Sequence, residues 1–185
     1  MCHQFIERKL SGVLFAPLEL TPTKDETNDA IVQALEKARI PIVLLDRCFL
    51  PFPQRSKHDL VAIDHRRAGY LITEHLLKLR CRRIVFVGYS NGAGSVEARI
   101  TGFREALFSY GAPLEADSVQ RLASTDPTEL KQLLEKVHPE AFVCVNDQTA
   151  GRLMKAAWIW DIRFLVTCAS SGSTMLNTPN YCQCL

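Results

Sequence analysis

Short apolar runs alternate with longer amphipathic stretches along most of this sequence. The apolar runs are rich in Val, Ile, Leu and Phe, which is typical of buried strands, and the stretches between them repeat apolar residues at helical spacing. The predicted strands are 13–16, 41–45, 60–63, 83–88, 119–122, 141–145 and 162–166. Apolar strands separated by helices indicate a parallel sheet covered on both faces. The pattern therefore predicts an α/β fold with a three-layer parallel sheet.

The pattern weakens at both ends of the sequence. Residues 167–185 show no clear periodicity, so we expect an irregular tail there. At the front, a helix end at Phe5 to Lys9 leads directly into a strand. Both ends are interpreted as cuts through a larger domain.

Composition and charge exclude several classes of protein. Of 185 residues, 47% are hydrophobic and 23% charged, which describes an ordinary globular protein. The net charge of +2 is too small to indicate nucleic-acid binding. No apolar run approaches the roughly 20 residues that span a bilayer, and residues 1–9 lack a signal-peptide core. We therefore expect no membrane association and a cytoplasmic location.

Seven cysteines are compatible with that location if they stay reduced. Cys182 and Cys184 form a CxC pair, but no histidine lies near them in the sequence. We expect no metal site and no cofactor.

Polar residues follow several predicted strands directly. Asp46, Asp64, Asn146 and Asp147 occupy such positions, and ligands of open α/β sheets gather at the carboxyl ends of the strands. These groups suit a ligand that is rich in hydroxyls. Alternatively, they cap the following helices. We favour the cap for Asp64, and both interpretations stay open for Asn146 and Asp147.

Arg99 is the most informative single residue. It lies about one turn into a predicted helix, near the strand ends, and projects along the edge of the packed face. That face carries Val96, Phe103, Ala106 and Tyr110. A guanidinium there needs hydrogen-bond partners, which a bound ligand or a carboxylate can supply. The alternative is that it extends to solvent.

The segment Gly88–Gly92 matches G-x-S-x-G after a strand, the nucleophile elbow of α/β-hydrolases. Ser90 would be the nucleophile, with Asp126 as acid and His138 as base. However, an elbow serine passes directly into its helix, whereas the apolar stripe here begins only at Val96. The base would also lie at a helix end rather than in a late loop. A hydrolase is therefore a minor alternative.

Seven motifs in order resemble those of one family, the effector-binding domain of LacI/GalR-type bacterial transcription regulators. The similarity runs from about Phe5 to about Val166. The motifs are SGVLFAP (11–17), PIVLLDR (41–47), DHRRAG (64–69), EHLL (74–77), RRIVFVG (82–88), ARITGF (98–103) and VND (145–147). The loop from Pro51 to Asp59 is also similar to the variant joined to a GntR-type winged-helix DNA-binding domain.

The resemblance implies the periplasmic-binding-protein-like fold, type I, with two Rossmann-like lobes that clamp a ligand in a cleft. On that basis residues 1–62 form part of the N-terminal lobe and 63–166 the C-terminal lobe, while the pattern is lost over 167–185.

The resemblance also implies which residues bind the ligand. The arginine of R-x-x-G-F corresponds to Arg99 and the asparagine of N-D to Asn146, with Asp147 beside it. The acidic residue after the L-L-D strand corresponds to Asp46, and an apolar residue of the cleft wall to Ile63. His65 replaces the usual asparagine of D-N-x-x-G-G.

One departure from the family pattern concerns the ligand site. The family continues from a strand such as 162–166 into G-[FY]-D-D, whose first aspartate helps to bind the ligand, whereas this chain reads Thr167-Cys168-Ala169-Ser170. A frameshifted or truncated reading frame would produce this difference. By the same resemblance, we expect this chain to lack the DNA-binding headpiece and the first two strand–helix units.

These observations favour a partial effector-binding domain and not an enzyme. The expected effector is a small molecule, by family default a sugar. DNA would be bound only through the absent headpiece, by a full-length homodimer. The alternative is a stand-alone solute-binding protein of a transporter, against which the missing signal peptide counts.

Overall fold

The computed structural model describes residues 2–90, 92–122, 127–159, 164–168, 174–178 and 181–184. The chain divides into two compact units. The first comprises Met1–Ile63 and Asn91–Glu97, and the second comprises Asp64–Ser90 and Ala98–Leu185. Each unit contains its own sheet.

The first unit contains a small parallel sheet in the order β1-β2-β3. Its elements in chain order are α1 (Cys2–Glu7), β1 (Val13–Phe15), α2 (Lys24–Lys37), β2 (Ile42–Leu45) and β3 (Asp59–Val61).

One face of this sheet is packed. Val32 and Leu35 of α2 are buried against Ile42 and Leu44 of β2. The other face is open in the described part of the chain, where the Leu14 side chain is 69% exposed. In the described residues of the first unit, a helix therefore covers one face of the sheet.

The second unit contains a larger sheet in the order β5-β4-β6-β7-β8-β9. Strands β4 to β7 are parallel, whereas β8 and β9 are antiparallel. Its elements are α3 (His65–Lys78), β4 (Ile84–Tyr89), α4 (Gly94–Ser109, whose first residues are counted in the first unit), β5 (Val119–Leu122), α5 (Pro127–Val137), β6 (Ala141–Cys144), α6 (Asp147–Ile159), β7 (Leu165–Cys168), β8 (Thr174–Thr178) and β9 (Tyr181–Cys184).

Helices cover both faces of this sheet. Phe86 of β4 meets Phe103 of α4, with ring centroids 5.7 Å apart. Its neighbours along the strand, Val85 and Val87, join the cluster that contains Leu153 of α6. Alternate residues of one strand therefore pack on opposite layers, as the α/β pattern predicts.

Helices α3 and α4 cross at very short distance because both carry glycine at the crossing. A Cβ atom on Gly69 would overlap the carbonyl group of Arg99, and one on Gly102 would overlap that of Arg66. Gly69 and Gly102 therefore allow the backbones of the two helices to touch, and this contact determines the position of the Arg99 backbone.

The described residues of 167–185 lie in strands, whereas the sequence predicts an irregular tail. Strand β7 continues through the buried residues Thr167 and Cys168, and β8 and β9 extend the sheet in antiparallel fashion. Strand pairing rests on backbone hydrogen bonds, so it does not require the apolar periodicity whose absence motivated the prediction.

Candidate functional site

Arg99 lies on α4 and is only 9% exposed. Its Nη1 donates a hydrogen bond to the carbonyl oxygen of Val145, at 2.6 Å. Its Nε–H has no partner among the described residues. Burial of an unpaired guanidinium N–H is costly unless another group accepts from it. Arg99 therefore carries a buried donor whose hydrogen bond is not made by the described residues.

The placement of Arg99 agrees with part of the sequence prediction. The residue lies at the carboxyl end of the sheet, as its position in the helix predicts. A carboxylate or ligand was expected as its partner, and the described residues supply a main-chain carbonyl instead. Val145 directly follows β6, so this hydrogen bond holds the guanidinium at the end of that strand.

Asn146 caps the N-terminus of α6. Its Oδ1 accepts hydrogen bonds from the backbone N–H of Thr149 at 2.9 Å and from the Thr149 hydroxyl at 2.8 Å. The capping interpretation is therefore confirmed. The cap uses the Asn146 oxygen, so a ligand would meet the other half of the amide, the Nδ2 donor. Asp147 is the first residue of α6 and is exposed.

Asp64 is the N-cap of α3. Its carboxylate accepts from the backbone N–H of Arg67 at 2.9 Å. The preference for a cap over a ligand at this position is confirmed.

The pair formed by Tyr89 and Arg152 was missed by the sequence analysis. Arg152 of α6 donates from Nη1 to the Tyr89 hydroxyl at 3.1 Å, and Tyr89 is the last residue of β4. Both side chains are partly buried. The position of Tyr89 at a strand end was visible in the sequence, but no local signal connects it with a residue so far along the chain.

Asp46 lies in the first unit, directly after β2, with a positive φ of 66°. Its carboxylate accepts from Arg47 Nε at 2.9 Å and pairs with Nη2 at 2.6 Å, while Arg47 Nη1 pairs with Glu19 at 2.6 Å. Burial acts to lower the pKa of Arg47, but the hydrogen bonds to Glu19 and Asp46 outweigh it, so the pKa is raised.

Ile63 also lies in the first unit and is 57% exposed. A cavity of about 390 Å³ in this unit is lined in part by Leu18, Asn28, Arg47 and Phe49. The roles of Ile63 and Asp46 in binding stay predictions.

The second unit has a cavity of about 620 Å³ at the opposite edge of its sheet, where β4 begins. Its lining includes Arg82, Arg83, Pro113, Asp117 and Lys136. Its volume makes this edge a second candidate for a binding site. We favour the carboxyl edge because an incompletely paired, buried guanidinium lies there.

The hydrolase constellation does not form in the described part of the chain. Ser90 Oγ donates to the carbonyl oxygen of Leu122 at 3.3 Å, and α4 begins only at Gly94. Asp126 lies outside the described residues, and His138 follows the end of α5.

Among the described residues, no group of three or more His, Cys, Asp or Glu side chains is arranged to hold a metal ion. No described helix is both long and apolar enough to cross a bilayer.

The mainly parallel sheets and their covering helices are those of an α/β protein of the periplasmic-binding-protein type. Residues 10–158 match the family described as periplasmic binding proteins and sugar binding domain of the LacI family. The chain belongs to this family.

Relatives and solved structures agree with this assignment. The chain is 27% identical over 164 residues to the HTH-type transcriptional regulator DegA of Bacillus subtilis, covering 85% of this chain and 45% of DegA. It is 26% identical over 161 residues to the arabinose metabolism transcriptional repressor of Geobacillus stearothermophilus, covering 83% and 42%. The chain thus spans less than half the length of these two relatives.

Two solved structures have the same fold. The transcription regulator CcpA of Lactococcus lactis aligns with a TM-score of 0.73 at 19% identity, covering 90% of this chain and 60% of CcpA. A LacI family transcriptional regulator from Enterococcus faecium, solved with bound ribose, aligns with a TM-score of 0.67 at 27% identity, covering 86% and 56%.

Proposed function

We propose that this chain is the effector-binding domain of a bacterial transcription regulator and that its effector is a sugar or a sugar derivative. The family match supports a sugar-binding domain, and the relatives named above are transcription regulators. The structure with bound ribose and the arabinose repressor favour monosaccharides as the first ligands to test.

The observation that carries the proposal is the guanidinium of Arg99. It is buried and held at the end of β6 by one hydrogen bond, with an N–H that lacks a described partner. A ligand oxygen at this edge would complete its hydrogen bonding, and the amide of Asn146 lies on the residue next to its carbonyl anchor. Arginine presents several donors in a rigid plane, which suits adjacent hydroxyl or carboxylate oxygens.

In the complete regulator, effector binding would shift the balance between conformations, and a DNA-binding segment would respond to that shift. We propose that this segment is a separate headpiece, and that the whole protein acts as a cytoplasmic homodimer. Asp46 and Ile63 of the first unit would contribute further contacts. The two proposed lobes, 1–62 and 63–166, would correspond to the two compact units.

A stand-alone solute-binding protein is the second candidate, because the family description includes periplasmic binding proteins. The regulator names of the relatives favour the first candidate. We propose no catalytic activity, since the Ser90 hydroxyl donates to a main-chain carbonyl.

Titration calorimetry on the 185-residue chain tests the proposal. The panel contains ribose, arabinose, glucose and galactose, together with ribose 5-phosphate, glucose 6-phosphate and glucuronate. Arg99→Gln is compared with Arg104→Gln, a matched change at an exposed position of the same helix. We expect binding of at least one compound, weakened about tenfold or more by Arg99→Gln alone, as expected for loss of a charge-assisted hydrogen bond.

Equal binding by the Arg99→Gln and Arg104→Gln variants would contradict the site. Absence of binding across the panel would contradict the proposed effector class. Ester hydrolysis that disappears in Ser90→Ala would replace the proposal with the hydrolase alternative.

A further inference from the structure

Arg152 supplies a second guanidinium at the carboxyl edge of the larger sheet. It lies in the second turn of α6, the helix that Asn146 caps. Its Nη1 donates to the Tyr89 hydroxyl at 3.1 Å, which brings the guanidinium toward the end of β4. Arg99 is fixed in a similar way at the end of β6.

The ends of β4 and β6 are neighbours. The two strands are parallel and paired, and the N–H of Val145 donates to the carbonyl oxygen of Val87 at 2.9 Å. Adjacent strands lie about 4.8 Å apart. The carbonyl that holds Arg99 and the residue that holds Arg152 therefore lie at the ends of adjacent strands, at the same edge of the sheet.

Within the described part of the chain, neither guanidinium forms an ion pair with a carboxylate, and each is held by a neutral acceptor. This contrasts with Arg47, whose guanidinium pairs with two carboxylates. A partly buried guanidinium with a neutral partner keeps most of its charge uncompensated, and several of its N–H donors remain for other acceptors. Two such groups at one edge favour an anion.

The N-terminus of α6 adds to this preference in a minor way, because unpaired N–H groups at a helix start carry partial positive charge. Asp147 is a carboxylate on the same turn, but it is exposed. Taken together, the side chains of Arg99, Arg152 and Asp147 carry a net positive charge at this edge.

We infer that the effector is an anionic sugar, a monosaccharide carrying a phosphate or a carboxylate, and that Arg152 and Arg99 bind its charged group. Tyr89 is a positioning residue, because its hydroxyl holds the Arg152 guanidinium at the strand end. The inference rests on the proposed function and narrows its ligand class. A neutral sugar would add no negative charge beside the two guanidinium groups, whereas a phosphate or carboxylate would.

The experiment compares matched ligands on the same chain by calorimetry. Ribose is paired with ribose 5-phosphate, glucose with glucose 6-phosphate, and glucose with glucuronate; inorganic phosphate is the control for the anion alone. We expect at least one anionic member to bind about tenfold or more tightly than its neutral partner, the effect of one charge-assisted contact. This preference should weaken as salt is raised, since the contact is partly exposed.

Variants then assign the preference to Arg152. Arg152→Gln should remove most of the preference, whereas Lys155→Gln, which removes the same charge from an exposed position on the same helix, should retain it. Tyr89→Phe should reduce the preference by a smaller factor, because the ring stays and only the acceptor is lost. Thermal unfolding of each variant verifies that it is folded.

The outcomes separate this inference from the function it rests on. Equal binding of neutral and anionic sugars, or a preference that survives in Arg152→Gln, overturns the inference and leaves the sugar-binding proposal standing. Inorganic phosphate binding as tightly as the sugar phosphates also overturns it, because the site would then take any anion. Failure of every sugar and sugar derivative to bind overturns both.

Discussion

The guanidinium of Arg99 donates to the carbonyl oxygen of Val145 at 2.6 Å, which links helix α4 to the end of strand β6. This contact joins residues far apart in the sequence and places a buried cation at the carboxyl edge of the sheet. Its geometry depends on the position of α4, which in turn depends on the close crossing with α3.

Adding a single methyl group at either glycine of the α3–α4 crossing should destabilise the fold. Gly102→Ala would place a Cβ against the carbonyl oxygen of Arg66, and Gly69→Ala would place one against that of Arg99. Because backbone atoms cannot rotate away, we expect each change to lower the free energy of unfolding by about 2–3 kcal/mol. Urea unfolding measures it, and Gly69→Ala should also weaken effector binding.

The control for this prediction is Gly151→Ala in α6, where an added Cβ meets nothing within 4 Å. Alanine favours the helix, so this variant should be more stable by about 0.5–1 kcal/mol. Similar effects at all three glycines would contradict the close-crossing explanation.

Asn28 holds the chain segment that follows β1. The side chain is 2% exposed; its Oδ1 accepts from the N–H of Leu18 at 2.8 Å, and its Nδ2 donates to the Leu18 carbonyl at 3.1 Å. Asn28→Ala leaves both backbone groups without that partner, so we expect a loss of about 1–3 kcal/mol in stability. Gln33→Ala, at an exposed position of the same helix, should change stability by less than about 0.5 kcal/mol.

Amide hydrogen exchange supplies a direct readout for the same variant. The Leu18 amide should exchange faster in Asn28→Ala than in the unmodified chain, because its acceptor is gone. Unchanged exchange at Leu18 would show that the Asn28 contact does not hold the segment.

The buried thiols should be chemically inert in the folded chain. Burial raises the pKa of Cys144 well above its usual value, with the neighbouring Cys168 adding to the effect. The thiolate is the reactive form, so brief iodoacetamide treatment at pH 8 should leave Cys144 unmodified while the half-buried Cys48 reacts. Peptide mass mapping detects this, and rapid labelling of Cys144 without denaturant would contradict the packing of β6.

The hydrogen bonds of Glu140 should make the free energy of unfolding depend on pH. Its carboxylate accepts from the backbone N–H groups of Arg82 at 2.6 Å and Arg83 at 3.1 Å, and these hydrogen bonds lower its pKa. Because folding lowers the pKa of this carboxyl, its ionised form stabilises the native state fully at pH values above 4.5, the pKa in the unfolded chain. This stabilisation is lost as the pH falls through the lower pKa of the folded state.

Glu140→Gln should therefore cost stability at pH 7, and that cost should shrink as pH falls below 4.5. We expect about 1 kcal/mol or less, since the carboxyl is well exposed. Urea unfolding from pH 7 to pH 3 measures it. A difference between the two proteins that stays constant with pH would contradict the assignment.

Most of the fold is predictable because its signals are local. The apolar run at 84–87 and the stripe on α4 report burial at the periods of strand and helix, so both elements form where expected. The start of α3 is predictable for the same reason, since Asp64 caps within its own turn. The strands β8 and β9 were missed because pairing of backbone groups leaves no comparable trace in the side chains.

The candidate site is only partly predictable. The position of Arg99 along its helix predicts a buried guanidinium that needs partners, but not that Val145 supplies one, because this depends on how α4 packs. The pair of Arg152 and Tyr89 depends on contact between distant elements in the same way. Sequence thus indicates candidate residues, and tertiary packing determines their partners.

The central claim is that the carboxyl edge of the larger sheet binds the effector, and amide NMR of the chain titrated with the calorimetry panel tests it most directly. We predict that a bound sugar shifts the amide signals around Arg99, Tyr89 and Asn146, while those around Asp117 and Lys136, which line the cavity at the opposite edge, stay in place. Shifts confined to the opposite edge would contradict the account.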